Sequence, residues 1–235
     1  MNVISIKKIS VALLFVILLL IGVCRPIKAS NLNRVFCRSQ TQNKKIALTF
    51  DDGPHPRFTK QILEILDEYG VTATFFIIGI NAERYPDALR KIYDSGCEIG
   101  NHTYSHIRIK NLSASEIRAE VEKCEEVLHD LIGIRPVLFR PPEGLMPPGL
   151  CDILSTKDYH TILWSIDTLD WAHTPVNEIV RLIKTQLRGG DIILMHDYVS
   201  GKNTTLDALR LFIPQLLQEG YEFVTVSELI KGDCQ

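Results

Sequence analysis

No aspartate or glutamate precedes Asp51 in this 235-residue chain, although 28 acidic residues lie from there on. Charge of one sign is not in excess overall: 26 Lys and Arg face those 28 acids, for a formal net charge of −2. A basic surface for nucleic acid and an acidic solvating tail are thereby excluded. Cysteine is scarce, six in all, and no C-x-x-C occurs, which removes zinc ribbons and thioredoxin-like motifs. No G-x-G-x-x-G follows a strand-like run and no Walker-type Gly-Lys loop is present, so dinucleotide and P-loop sites are out. Internal repeats are missing, which excludes solenoids and propellers. Only one long apolar run exists, too few for a polytopic membrane protein. With 46% hydrophobic and 23% charged residues, the rest is neither disordered nor a coiled coil.

The apolar run is Ile9–Val23, fifteen residues interrupted by Ser10 and Gly22 and preceded by Lys7 and Lys8. A charged start, an apolar stretch shorter than the roughly 20 residues of a spanning helix, and a small residue at Ala29 are the marks of a secretory leader. We read residues 1–29 as a signal peptide or, if uncleaved, a single membrane anchor, and 30–43 as a polar linker. Without 1–29 the chain holds 22 Lys and Arg against 28 acids, a net of −6. An extracytoplasmic, secreted or surface-attached protein is expected.

From residue 44 to 231, strand-like and helix-like segments alternate. Strands are expected at 45–50, 71–78, 97–100, 137–140, 161–166, 191–195 and 222–226. Helices are expected between them: 59–69, 83–94, one capped by Ser113 and Glu116 running to Ile132, one capped by Thr174 with Pro175 first, and one over 205–219 with a kink at Pro214. Such alternation specifies an α/β fold with a parallel sheet and helices outside. A distorted (β/α) barrel of about seven strands suits the length.

In such barrels chemistry sits where the strands end. The residues following the expected strands are Asp51-Asp52-Gly53-Pro54, then Asn101-His102-Thr103-Tyr104-Ser105-His106, then Arg140-Pro141-Pro142-Glu143-Gly144, then Asp167-Thr168-Leu169-Asp170-Trp171, and finally His196-Asp197. His102 and His106 are four apart, so on a helical turn their rings would share a face. With one carboxylate they supply three ligands and leave a position open for water, the pattern of a catalytic metal site. An Asp doublet can provide both that ligand and a free base. Arg140 is placed to orient a carboxylate through a paired hydrogen bond. His196, near Asp167 and Asp170, is a candidate general acid. Trp171 is a candidate pocket wall, and His55, in the loop after the Asp pair, is read as a rim contact.

These segments together resemble the polysaccharide deacetylases with a NodB homology domain, carbohydrate esterase family 4: Thr49-Phe50-Asp51-Asp52-Gly53, His102 to His106, Arg140 to Gly144, Asp167 to Trp171 and Ile192 to His196, in the family's order. The resemblance covers about 44–231. It implies metal-dependent removal of N-acetyl groups from an N-acetylated polysaccharide. It implies Asp51 as base, Asp52, His102 and His106 as ligands of a divalent metal (zinc foremost, cobalt or nickel able to substitute), and Arg140 as the group orienting the base. His196 becomes the acid, Asp170 its tuning carboxylate, and Trp171 and Leu194 the walls for the acetyl methyl. Glu143 stands where many members carry an aromatic residue. Its backbone N–H would still serve an oxyanion, but its carboxylate would have to point away. With a surface location, the N-acetylglucosamine of peptidoglycan is the expected substrate. Chitin oligosaccharides, muramic acid and acetylxylan are alternatives, as are a cyclic imide amidase and an inactive carbohydrate-binding relative. Cys97 and Cys124 are read as buried thiols, and Cys37 and Cys234, flanking the domain, as a candidate pair.

Overall fold

The computed structural model describes residues 35–41, 43–199 and 203–233; the expected leader and Cys234 lie outside the described residues. Among the described residues nine strands occur in chain order: β1 (Val35–Phe36), β2 (Lys45–Gly53), β3 (Thr74–Ile77), β4 (Glu98–Asn101), β5 (Leu138–Phe139), β6 (His160–Ile162), β7 (Ile166–Asp167), β8 (Ile192–His196) and β9 (Glu222–Phe223). Eight α-helices accompany them in the described residues: α1 (Phe58–Tyr69), α2 (Gly79–Arg84), α3 (Pro86–Asp94), α4 (Ala114–Ile132), α5 (Leu150–Ser155), α6 (Val176–Gln186), α7 (Thr205–Gln218) and α8 (Val226–Ile230). The strands follow the order β1-β6-β5-β4-β3-β2-β8-β7, with β9 beside the start of β2. Every ladder between these nine strands is parallel, and an isolated antiparallel bridge joins Arg38 to Asp191. Among the described residues nothing pairs β1 with β7, so this is a distorted (β/α) barrel left open on one side.

Nine strands replace the expected seven for two reasons. The stretch read as a linker contributes β1, which pairs with β6 and buries Phe36. The expected strand over 161–166 is two: β6 pairs with β5 and β1, and β7 turns to pair with β8. The helix expected over 83–94 starts afresh at Pro86, whose fixed φ suits a first turn and not a helix interior. Thr174 does not cap α6; Pro175 stands at that position, and the Thr174 hydroxyl donates to Leu169 O. The last helix is capped by Thr225 in a box with Glu228. The box of Ser113 and Glu116 does open α4, and left-handed Gly133 closes it. Pro214 lies within α7, which runs unbroken from Thr205 to Gln218.

The strand period of two sorts the core. Ile46, Leu48 and Phe50 of β2 face a cluster with Ile62 and Ile65 of α1 and Phe212 of α7. Ala47 faces the opposite side, with Phe76, Ile162, Ile192 and Leu229 of α8. Thr49 and Asp51 continue that second face toward the strand end. Among the described residues no helix is long and apolar enough to cross a membrane.

Candidate active site and metal centre

In a regular strand Asp51 and Asp52 would point to opposite faces. Here β2 is irregular against β3 between Phe50 and Gly53, and Asp52 adopts a left-handed backbone with φ 72°. Both carboxylates therefore border one cavity of about 510 Å³. Asn81 holds the turn, its Nδ2 donating to Asp52 O at 2.9 Å. A Cβ on Gly53 would fall 2.1 Å from Asp197 Oδ2, so only glycine lets the two turns touch. Asp197 is fully buried and accepts from Thr59 Oγ1 at 2.6 and 2.8 Å, which ties the β2 and β8 turns together.

His102 and His106 do converge, but not on a helical turn. They sit in an irregular loop whose Thr103 and His106 are left-handed, with φ 69° and 55°. Buried Asn101 braces that loop, accepting from Thr103 N and donating to Val121 O, each at 2.9 Å. His102 Nδ1 lies 2.7 Å from Arg140 O, so Nδ1–H donates, and in the neutral ring Nε2 carries the lone pair. Asp52 Oδ1 is buried without a hydrogen-bond donor. It lies 3.5 Å from His102 Nε2 and 3.2 Å from His106 Nε2. The ligand atoms of the three side chains fall within 4.8 Å of one another. Two imidazole nitrogens and an orphaned carboxylate oxygen aimed at one point fit a divalent cation with an open coordination position.

Without the cation, Asp52 is held at about 2: burial pushes its carboxyl up, but the contact and charge of His102, joined by His106 and His196, outweigh that. Burial pulls His102 down, and the charges of Asp51 and Asp52 carry it above the usual imidazole range.

Arg140 does not line the cavity. It lies buried behind Asp51, its Nη1 donating at 2.7 Å to Asp51 Oδ1 and at 2.8 Å to Thr49 Oγ1. Nε donates to Ile162 O and Nη2 to Leu163 O, and the guanidinium lies 4.0 Å over the Phe76 ring. The planar fork is thus fixed on every side. Asp170, also buried, stands behind His196: His196 Nδ1 is 2.8 Å from its Oδ1, and His196 N and Thr205 Oγ1 donate to its Oδ2 at 2.8 and 2.7 Å. Burial pulls the His196 imidazolium down, but the Asp170 hydrogen bond and charge, with Asp51 and Asp52 beyond, carry it to about 9.

Of the residues singled out from sequence, Asp51, Asp52, His102, His106, Glu143, Asp167, Trp171, Leu194 and His196 line the cavity, while Arg140 and Asp170 each back one of them. Glu143, left-handed at φ 56°, pairs its carboxylate with Arg108 Nη2 at 2.7 Å on the rim. The sequence does not single out Trp164, which also lines the cavity, nor the supporting roles of Thr49, Thr205 and Arg108, which bond Arg140, Asp170 and Glu143. Trp164 falls inside the strand expected over 161–166, and the break between β6 and β7 is what frees it. A larger cleft of about 610 Å³, beside α1 and α3 and including Lys60, Leu63 and Phe223, holds no comparable set of groups.

Fold and site together define a metal-dependent hydrolase of the α/β-barrel type. The family model described as polysaccharide deacetylase matches residues 38–162, and the chain belongs to that family. It is 38% identical over 190 residues to a peptidoglycan-N-acetylglucosamine deacetylase of Bacillus cereus, covering 80% of this chain and 89% of that one. Among solved structures, a peptidoglycan N-acetylglucosamine deacetylase in complex with a naphthalenyl N-oxidanyl-benzamide superposes with TM-score 0.81 at 35% identity, covering 84% of this chain and 92% of that one. A family 4 acetyl xylan esterase from Clostridium thermocellum, in complex with a cobalt ion, gives TM-score 0.73 at 33% identity, covering 80% and 90%.

Proposed function

We propose that the chain removes the N-acetyl group from N-acetylglucosamine residues of a cell-surface polysaccharide, peptidoglycan first, giving acetate and a free amine. The observation that carries this reading is the convergence on one cavity of the Asp52, His102 and His106 ligand set, the Arg140-held Asp51 and the Asp170-held His196. Those three ligands would hold a divalent cation, zinc foremost, with cobalt or nickel able to replace it because such a set discriminates weakly among them. When bound, the cation supplies Lewis-acid polarisation of the acetamide carbonyl and lowers the pKa of water in the site.

The chain's own groups do the proton work. Asp51, kept in place by Arg140, takes the proton of the attacking water. The water oxygen bonds to the acetyl carbon, and the backbone N–H of Glu143 helps bear the resulting oxyanion. His196 enters protonated, a state that Asp170 favours, and gives its proton to the sugar nitrogen as the carbon–nitrogen bond breaks. Trp171 and Leu194, with Trp164, wall the acetyl methyl away from water. The Glu143 carboxylate is paired with Arg108 on the rim, which partly neutralises it there.

The leader read from the sequence supports an extracytoplasmic enzyme, secreted or held by one N-terminal membrane segment. N-terminal sequencing of the protein from membrane and medium fractions tests this; a cytosolic pool with an intact Met1 would overturn it. Acetate release from peptidoglycan, chitooligosaccharides and acetylxylan, measured side by side, tests the substrate. Release from peptidoglycan at the highest rate is expected. Release from acetylxylan alone would reassign the enzyme as an O-esterase.

A further inference from the structure

The turns after β2 and β8 carry a second group of side chains that the deacetylation steps do not use. His55 and Tyr198 stack with ring centroids 4.9 Å apart and planes 12° apart. Phe58 packs on His55 at 4.8 Å, and Tyr85 tilts toward it at 6.1 Å. Tyr198 is 44% exposed, so one face of its ring remains open to a ligand. The cluster stands on the same rim as the reacting groups. Tyr198 is two residues beyond His196 and His55 three beyond Asp52, about 7 and 11 Å of chain at most.

Its polar atoms are oriented too. The N–H groups of Arg57 and Phe58 both donate to His55 Nδ1 at 3.2 Å, so in the neutral ring the proton is on Nε2. Burial, and the charge of Arg57 after it, hold His55 below the usual imidazole range. Among the described residues neither His55 Nε2–H nor the Tyr198 hydroxyl has a protein partner. The support beneath is rigid: Thr59, which binds buried Asp197 on the Tyr198 side, also accepts from His55 N at 2.7 Å. A pre-set aromatic face bordered by unpaired donors is suited to a pyranose ring. Sugar C–H bonds lie against the electron-rich ring face, and hydroxyls take the donors. An apolar partner would leave those donors unpaired.

We propose that Tyr198, His55 and Tyr85 form a second sugar-binding subsite, which stacks a ring of the same polymer beyond the sugar next to the one being deacetylated, out of reach of a disaccharide. This rests on the carbohydrate reading above and adds a subsite that makes the enzyme favour longer chains. The test compares kcat/KM for acetate release from the N-acetylglucosamine dimer and pentamer. The wild-type enzyme should prefer the pentamer, and Tyr198→Ala should lower the pentamer-to-dimer ratio about tenfold, through KM. Tyr198→Trp, which restores a stacking face, should recover most of it. An unchanged ratio in Tyr198→Ala, with thermal unfolding like the wild type, overturns the subsite. Should the wild-type chain release acetate from neither oligomer, the deacetylase reading fails on its own. Calorimetric titration of the pentamer then decides the subsite: weaker binding by Tyr198→Ala supports it, and equal or absent binding by both proteins overturns it.

Discussion

Arg140 donates from Nη1 to Asp51 Oδ1 at 2.7 Å, and both side chains are buried, Asp51 reaching the cavity only at its edge. A buried charge is tolerable only with its partner, and breaking such a pair from one side costs about 3–5 kcal/mol. Arg140→Ala should therefore lose about that much stability, measured by urea unfolding, besides nearly all acetate release. Asp51→Asn separates the two effects. It keeps an acceptor for Arg140 and leaves the metal ligands untouched, so metal content should stay at the wild-type level while turnover collapses. Full turnover in Asp51→Asn would remove Asp51 from the role of base.

The metal prediction concerns Asp52 Oδ1, which lacks a donor while two imidazole nitrogens face it. Zinc added to metal-free protein should raise the unfolding free energy by about 2.7 kcal/mol when free zinc is a hundred times its Kd. His102→Ala should abolish that response and the bound metal seen by elemental analysis. A zinc-dependent rise in stability that survives in His102→Ala would place the cation elsewhere.

The contrast between Asp52 and Trp164 shows what the sequence could disclose. Five chemistry-bearing segments after five apolar runs are legible because strand alternation puts strand ends on one rim. Backbone torsions are not legible in the same way. The four-residue spacing of His102 and His106 suggests a helical turn, yet left-handed Thr103 and His106 do the converging. Trp164 looks like strand interior because β6 and β7 read as one apolar run until their separate pairings break it. A two-residue strand such as β1 carries no period at all, so Phe36 passes for linker. Thr205 and Arg108 reach Asp170 and Glu143 only through the tertiary fold, and no local pattern announces them.

Gly53 permits a sharp test of how the metal ligand is positioned. An added Cβ would lie 2.1 Å from Asp197 Oδ2, and that carboxylate is itself held by Thr59, so it cannot step aside cheaply. Gly53→Ala should cost about 1–3 kcal/mol as an overpacked site. It should also weaken zinc binding, because the strain falls on the residue next to Asp52. Both are measurable in one series of unfolding curves with and without zinc. Loss of stability with zinc affinity intact would show that Asp52 is positioned independently of the Gly53–Asp197 contact.

His196 and Asp170 make a pH-dependent prediction whose direction follows from linkage. In metal-free protein His196 is carried from 6.5 to about 9, with burial opposing and the Asp170 hydrogen bond and charge prevailing. A folded value above the unfolded one means that the stabilisation is complete below about pH 6.5 and is lost as pH rises through about 9. Its full size is on the order of 3 kcal/mol. Asp170→Asn retains an oxygen acceptor for the backbone and Thr205 but removes the charge. The stability gap between wild type and Asp170→Asn should therefore be widest at about pH 6 and nearly closed above about pH 9. In the active enzyme the same substitution should move the alkaline limb of the pH–rate profile downward, since the acid loses its proton earlier. A stability gap that stays constant from about pH 6 to about pH 10, with an unmoved alkaline limb, would show that Asp170 supports the loop without tuning His196.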